Sequence, residues 1–244
     1  MSDLAPHPST PPNLKARVKA SYDAIAPAYN AWTTSHNVLR ERYLARLLEH
    51  VQPPGTTPGS SSVDSTETNN PTKTALDLGC GAGVPSTAAL LAAGLRVQAN
   101  DLSTTQLALA RARFADETRD GRVEWLEGDM MALEFAPASL DAVVALYSLV
   151  HLTREEQAAM VGRVAGWLRP GGVVLVNFGL EETEGVTVER WLGRDEGWMY
   201  WSAWGAEKSL GVVREAGLEV LVEEISPPLG DSEAEFLWVI ARKV

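Results

Sequence analysis

The sequence predicts an α/β fold: a doubly wound, mainly parallel seven-stranded sheet with an antiparallel last strand and an N-terminal helical cap. Three observations predict it. Short apolar runs alternate with helical patterns from residue 75 onward, which implies right-handed crossovers and a sheet covered on both faces. The first run leads directly into a glycine loop, Gly79-Cys80-Gly81-Ala82-Gly83. The last two runs are separated by a short gap holding Pro227, Pro228 and Gly230, which favours a hairpin.

Residues 1–12 are rich in Pro, Ser and Thr and read as a flexible tail. Residues 13–244 read as a single domain. Its cap, 13–50, carries Leu14, Val18, Tyr22, Ile25 and Tyr29 on one helical face and Leu39, Tyr43, Leu44, Leu47 and Leu48 on a second. Residues 52–74 are full of turn formers and read as a mobile loop. The core, 75–244, opens with the run 75–79, then a helix from Pro85 to Ala93 with proline in its first turn. Strand 95–101 precedes a helix opened by the capping box Ser103-Thr104-Thr105-Gln106. Strands 122–129 and 140–148 follow, then a second capping box, Thr153-Arg154-Glu155-Glu156, whose helix buries Met160, Val161, Val164, Trp167 and Leu168. Arg169-Pro170-Gly171-Gly172 ends that helix, and 173–178 is the fifth strand. A helix over 206–216 is stopped by Gly217, and strands 218–225 and 234–244 close the chain.

Composition narrows the function. The 244 residues carry 21 basic and 32 acidic side chains, a formal net charge of −11. That field repels phosphate backbones, so neither nucleic acid nor a membrane is an expected partner. No apolar stretch reaches the length of a membrane span, and MSDLAPHPSTPP lacks the basic start and apolar core of a secretory signal. One cysteine permits no internal disulfide, and a cytoplasmic setting is expected. The four histidines show no H-x-x-x-H or H-E-x-x-H spacing, so no metal site is expected. The oligomeric state is not legible.

The glycine loop lets backbone approach a ligand closely. A nicotinamide-dinucleotide fingerprint would need Gly or Ala at position 84, where Val84 stands, and no G-K-[ST] run marks a P-loop. A plain strand-to-helix turn is the remaining rival. Against it, Asp101 ends the second strand and suits two ribose hydroxyls, while Gly128-Asp129-Met130 ends the third and suits an adenine edge. These ends share one carboxyl edge, where open α/β sheets bind ligands.

The D-x-G-x-G-x-G of Asp77 to Gly83, the acidic end at Asp101, Gly128-Asp129-Met130 and Leu168-Arg169-Pro170-Gly171-Gly172 together resemble the class I S-adenosylmethionine-dependent methyltransferases, of Rossmann-like architecture. The likeness covers residues 14–244 apart from the 52–74 loop. It implies S-adenosyl-L-methionine as cofactor. Gly79, Cys80, Gly81 and Ala82 would hold its methionine part, Asp101 its ribose, and Leu102, Asp129 and Met130 its adenine. Asp77 either faces the cofactor or orients the loop. Tyr22 and Tyr29 of the cap either close over the methionine tail or pack on the core. Leu146 and Tyr147, ending the fourth strand, would lie beside the transferable methyl.

The motifs fix no acceptor, and a small organic molecule methylated at O, N or S is expected. Rivals are a protein methyltransferase and a cofactor-binding catalyst of a non-methylating reaction, such as a pericyclic step. His151, the one histidine near the expected centre, is a candidate general base or a pocket-lining residue. Ser148 and, in the cap, His36 are further acceptor-side candidates. Residues 180–205 read as an acceptor-side insertion crowded with Trp191, Trp198, Tyr200, Trp201 and Trp204. These rings either anchor a loop or wall a pocket, with Trp198, Tyr200 and Trp201 set to touch the acceptor.

Overall fold

The structure, a computed structural model, describes residues 5–6, 10–34, 37–51, 72–226 and 235–244. A seven-stranded sheet runs in the order β4-β3-β2-β5-β6-β10-β9. Its strands are β2 (Thr74–Leu78), β3 (Arg96–Asp101), β4 (Val123–Glu127), β5 (Leu140–Ala145), β6 (Leu168–Gly179), β9 (Leu218–Ser226) and β10 (Phe236–Lys243). Strand β10 lies antiparallel to both β6 and β9, and β2 to β6 pair in parallel. The expected sheet and its antiparallel last strand are both present.

Strand alternation sends side chains to opposite faces and so builds two core layers. Ala75, Val97, Val144, Leu175 and Ile240 face α2 (Asn37–Val51), α3 (Ser86–Ala92) and α4 (Thr104–Arg113). Leu76, Val143, Val174 and Val239 face α6 (Arg154–Trp167) and α7 (Ala206–Glu215). A short α5 (Ala115–Arg119) follows α4 directly. Thr153 and Glu156 close the expected capping box on α6. At α4 only half of the box forms: Ser103 accepts from the Gln106 N–H, while the Gln106 amide turns to accept from Asn30.

Three sequence expectations change in the structure. The segment 180–205 is not an irregular loop: β7 (Glu182–Val188) and β8 (Met199–Trp204) form an antiparallel hairpin, and β1 (Ala5–Pro6), inside the stretch read as tail, pairs with β7. The 169–172 stretch lies in β6, which starts at Leu168, so the helix ends at Trp167 without the glycines. Thr74, read as the end of the 52–74 loop, already pairs with Arg96. The rest of that loop up to residue 71, like His36, lies outside the described residues.

Helix α1 (Leu14–Thr33) crosses the carboxyl edge of the sheet with Pro27 in its interior. Among the described residues no helix is long and apolar enough to cross a membrane.

Trp238 is the largest fully buried side chain, stacked on Tyr43 of α2 at 4.2 Å between ring centroids. Trp238→Ala therefore leaves a cavity under α2 and should cost about 3–5 kcal/mol in denaturant unfolding with an unchanged m value. A loss below about 1 kcal/mol would show that α2 collapses onto the sheet to fill the gap.

Candidate active site

The ends of β2, β3, β4 and β5 converge on a cleft that α1 covers from above. The glycine loop forms its floor. Gly79 has φ +71°, a left-handed conformation, and a Cβ there would stand 2.4 Å from Ser148 Cβ. Only glycine lets the β2 and β5 ends approach this closely.

Asp101 ends β3 with its carboxylate accepting from the Gly81 N–H at 2.7 Å and the Ser103 N–H at 2.8 Å. Burial pushes its pKa up to about 6, against these hydrogen bonds. Asp77 sits behind the loop, 1% exposed, accepting from Thr87 Oγ1 at 2.7 Å; burial pushes it up to about 7. It orients α3 against the loop and does not reach the cleft wall. Asp129 holds the Met131 N–H with one oxygen and Lys15 Nζ, at 2.6 Å, with the other. Lys15 also donates to Glu156 at 2.5 Å, which ties α1 to α6.

His151 stands in a 3₁₀ turn, Leu149–His151, after β5. Its Nδ1 lies 2.9 Å from the Tyr200 carbonyl oxygen, which can only accept, so Nδ1 carries the proton. Nε2 then accepts from the Tyr22 hydroxyl at 2.9 Å. Burial lowers the imidazole pKa to about 4, and burial raises the Tyr22 phenol well above its ordinary value.

Tyr147 lies at the end of β5 with φ +56°, unusual for a non-glycine residue. Its N–H donates to Asn177 Oδ1 at 2.7 Å, and its ring meets Phe236 edge-on at 4.9 Å. Burial raises its phenol to about 12.

The expected site residues thus divide. Tyr22, Tyr29, Gly79, Gly81, Asp101, Leu102, Asp129, Met130, Leu146, Tyr147, Ser148 and His151 all line the cleft. Asp77, Cys80 and Ala82 are buried beside it, off the wall. Trp198 and Tyr200 pack with Leu14 and Val18 in an apolar cluster, with the Arg17 guanidinium 3.8 Å from the Trp198 ring. Both are therefore core residues beneath α1 and not a wall of the cleft. Trp201 also stands off the wall, in contact with Trp191 and His151.

Sequence reasoning passed over Lys15, Gln106, Asn177 and Arg40. Arg40 is buried with Nη2 donating to the Thr33 carbonyl at 2.9 Å and Nε unpartnered. Its guanidinium lies 5.6 Å from the Tyr147 ring centre and has no carboxylate partner among the described residues. A signal existed: Arg40 is in helical register with Leu44, Leu47 and Val51, a lone cation on a buried stripe. Ser148 Oγ and Gln106 Nε2, both in buried residues that line the cleft, have no partner among the described residues.

This sheet order, with a glycine loop facing an acidic strand end, is the architecture of the class I S-adenosylmethionine-dependent methyltransferases. Residues 75–172 match the family described as "Methyltransferase domain". An O-methyltransferase of Aspergillus nomiae is 33% identical over 96 residues, 39% of this chain and 42% of that protein. The chain thus spans less than half the length of that relative. The 1,6-didemethyltoxoflavin-N1-methyltransferase of Burkholderia thailandensis, solved with 1,6-didemethyltoxoflavin and S-adenosylhomocysteine, superimposes with TM-score 0.70 at 19% identity, over 99% of this chain and 95% of that one. The [4+2]-cyclase SpnF superimposes with TM-score 0.62 at 18% identity, over 99% of each chain. At these identities the two structures carry the fold alone.

Two outcomes follow from the geometry. Affinity for S-adenosylhomocysteine should fall as pH drops through about 6, where Asp101 takes a proton and loses an acceptor; calorimetry giving equal affinity at pH 5 and pH 8 would remove Asp101 from the ligand. Asn177→Ala should cost about 1–3 kcal/mol by leaving the Tyr147 N–H unpaired, and Asn177→Leu, which keeps the side-chain volume without the acceptor, should lose a similar amount; a Leu variant as stable as the parent in denaturant melts would show that packing matters and the hydrogen bond does not.

Proposed function

We propose that this protein transfers a methyl group from S-adenosyl-L-methionine to a small organic molecule. The observation that carries the reading is the cleft itself, where Asp101, Asp129 and the glycine loop meet at one sheet edge under an aromatic cap. The residues fit the cofactor. Asp101 would take the ribose, Leu102 and Met130 would flank the adenine, and Asp129 would read its edge. Arg40, which has no carboxylate partner among the described residues, lies beside Tyr147 and off the cleft wall, and its charge would favour the methionine carboxylate from there. Ser148 and Gln106 supply unpartnered polar groups in the same wall. When bound, the cofactor supplies a methyl group activated by positive sulfur.

The chain's own part is alignment, exclusion of water and acceptance of a proton. Tyr22 and Tyr29 close the cleft on the α1 side. His151 is the proton acceptor, its Nε2 kept free of a proton by the Tyr200 carbonyl on Nδ1. A second reading, a non-methylating reaction on the same fold, is supported by the likeness to a [4+2]-cyclase. Mass spectrometry separates the two: methyl transfer consumes the donor and yields a product heavier by one CH₂, and intact donor beside converted product would overturn the first reading.

His151→Ala should lower turnover roughly 10²–10⁴-fold with S-adenosylhomocysteine affinity held. The base form rises above the imidazole pKa, and that pKa lies at about 4. At saturating cofactor the wild-type rate should therefore already be level with pH from about 6 upward. A rate still climbing between pH 6 and 8 would place the controlling proton on another group.

A further inference from the structure

The described rings form one continuous cluster around His151. Tyr22 meets Tyr29 at 5.1 Å between centroids, His151 at 5.5 Å and Trp191 at 6.1 Å, each nearly edge-on. Trp191 also meets Tyr29 at 5.7 Å and Trp201 at 5.9 Å. Such faces and edges are complementary to another flat ring. The carboxylates of the cleft wall, Asp101 and Asp129, are already engaged by backbone N–H groups and Lys15. A protonated amine has no lone pair to receive the methyl, and neither engaged carboxylate stands free to take its proton, which disfavours an ammonium acceptor.

Nε2 of His151 faces this cluster as an acceptor, and its tautomer is set from the far side by the Tyr200 carbonyl. The group it holds is a phenol, the Tyr22 hydroxyl, with the ring 83° from the imidazole plane. The protein thus seats on Nε2 the chemical group that the surrounding rings would select from outside.

Resting on the methyl-transfer reading, we infer that the acceptor is an uncharged, planar, hydroxylated ring system whose O–H replaces the Tyr22 hydroxyl on Nε2 of His151. The acceptor oxygen's lone pair forms the new O–CH₃ bond, the S–CH₃ bond breaks with its pair passing to sulfur, and the O–H proton passes to Nε2. Positive charge leaves sulfur as it appears on the imidazole, so the charge in the cleft is unchanged across the step. The proton then leaves to water. Trp191 and Tyr29 act on binding, by stacking and edge contacts with the ring.

The test uses the full chain with labelled S-adenosylmethionine and a panel of naphthols, hydroxyquinolines and hydroxyanthraquinones, beside alkyl amines, aryl thiols and carboxylic acids. Label should enter the planar hydroxyl compounds at least about tenfold faster than any other class, and on oxygen. A second readout needs no turnover. Calorimetry on protein loaded with S-adenosylhomocysteine should find the best phenol bound about tenfold tighter than its methyl ether, a difference lost in His151→Phe. Tyr22→Phe, which vacates Nε2, should lower the acceptor KM. Label going to amines, thiols or acids, label in no compound, or equal binding of phenol and ether would overturn the acceptor assignment. Failure to bind S-adenosylhomocysteine at all would instead overturn the methyl-transfer reading beneath it.

Discussion

A row of polar contacts along one helix holds the site together. From Lys15 to Asn30, α1 reaches five separate parts of the core. Lys15 bonds Asp129 and Glu156; the Ser21 hydroxyl accepts from the Trp198 N–H; Tyr22 bonds His151; Asp23 accepts from Ser103 and Thr105 at the start of α4; and Asn30 bonds Gln106. Parallel strands deliver Asp101, Asp129, Tyr147 and His151 to one edge, but a sheet edge alone is open to water. The cleft exists because α1 is laid across it. Apolar burial fixes the near end through Leu14 and Val18 against Trp198 and Tyr200. The ion pairs of Lys15, at that same end, are about a third exposed, and pairs of that kind contribute at most about 1 kcal/mol each. The helix is thus anchored by its apolar end and held over the cleft by the hydrogen bonds of Ser21, Tyr22, Asp23 and Asn30.

How far the sequence revealed this follows from what each residue answers to. The sheet was legible because strand alternation and the turn residues are local signals: Ala75 and Leu76 serve opposite faces for geometric reasons that need no partner. The strand ends were legible for the same cause, since a parallel topology fixes where Asp101 and Asp129 emerge. Lys15, Arg40 and Asn177 answer to partners far away in the chain. A lysine in the first turn of an amphipathic helix reads as solvated until the fold brings Asp129 to it. Asn177 lies within an apolar strand and gains its meaning only from the Tyr147 N–H beside it.

The aromatic segment failed for a different reason. Read as a loop, Trp198, Tyr200 and Trp201 formed one group. In β8 the pleat divides Tyr200 from Trp201, with Tyr200 turned, like Trp198 just before the strand, to the α1 cluster and Trp201 turned to Trp191 and His151. Tyr200 still serves the site, through its carbonyl and not its ring. A carbonyl contribution leaves no trace in residue identity, and so could not be read from the side chains.

The geometry after β5 shows why these parts depend on one another. Tyr147 adopts a left-handed backbone that costs a non-glycine residue roughly 1–3 kcal/mol unless its surroundings hold it. Here they do: Asn177 takes its N–H, Phe236 and Trp238 pack against its ring, and Arg40 lies near its face. That turn throws Ser148 back against Gly79, where the missing Cβ makes room, and the next residues wind into the 3₁₀ turn that ends at His151. The base is thus aimed by a strained residue two strands from the glycine loop's own helix. Relaxing Tyr147 to an ordinary extended backbone would move Ser148 off Gly79 and swing His151 away from both the Tyr200 carbonyl and Tyr22. The strain at one residue, the absent side chain at another and the tautomer of a third are one constraint, imposed where β2, β5 and β6 end side by side.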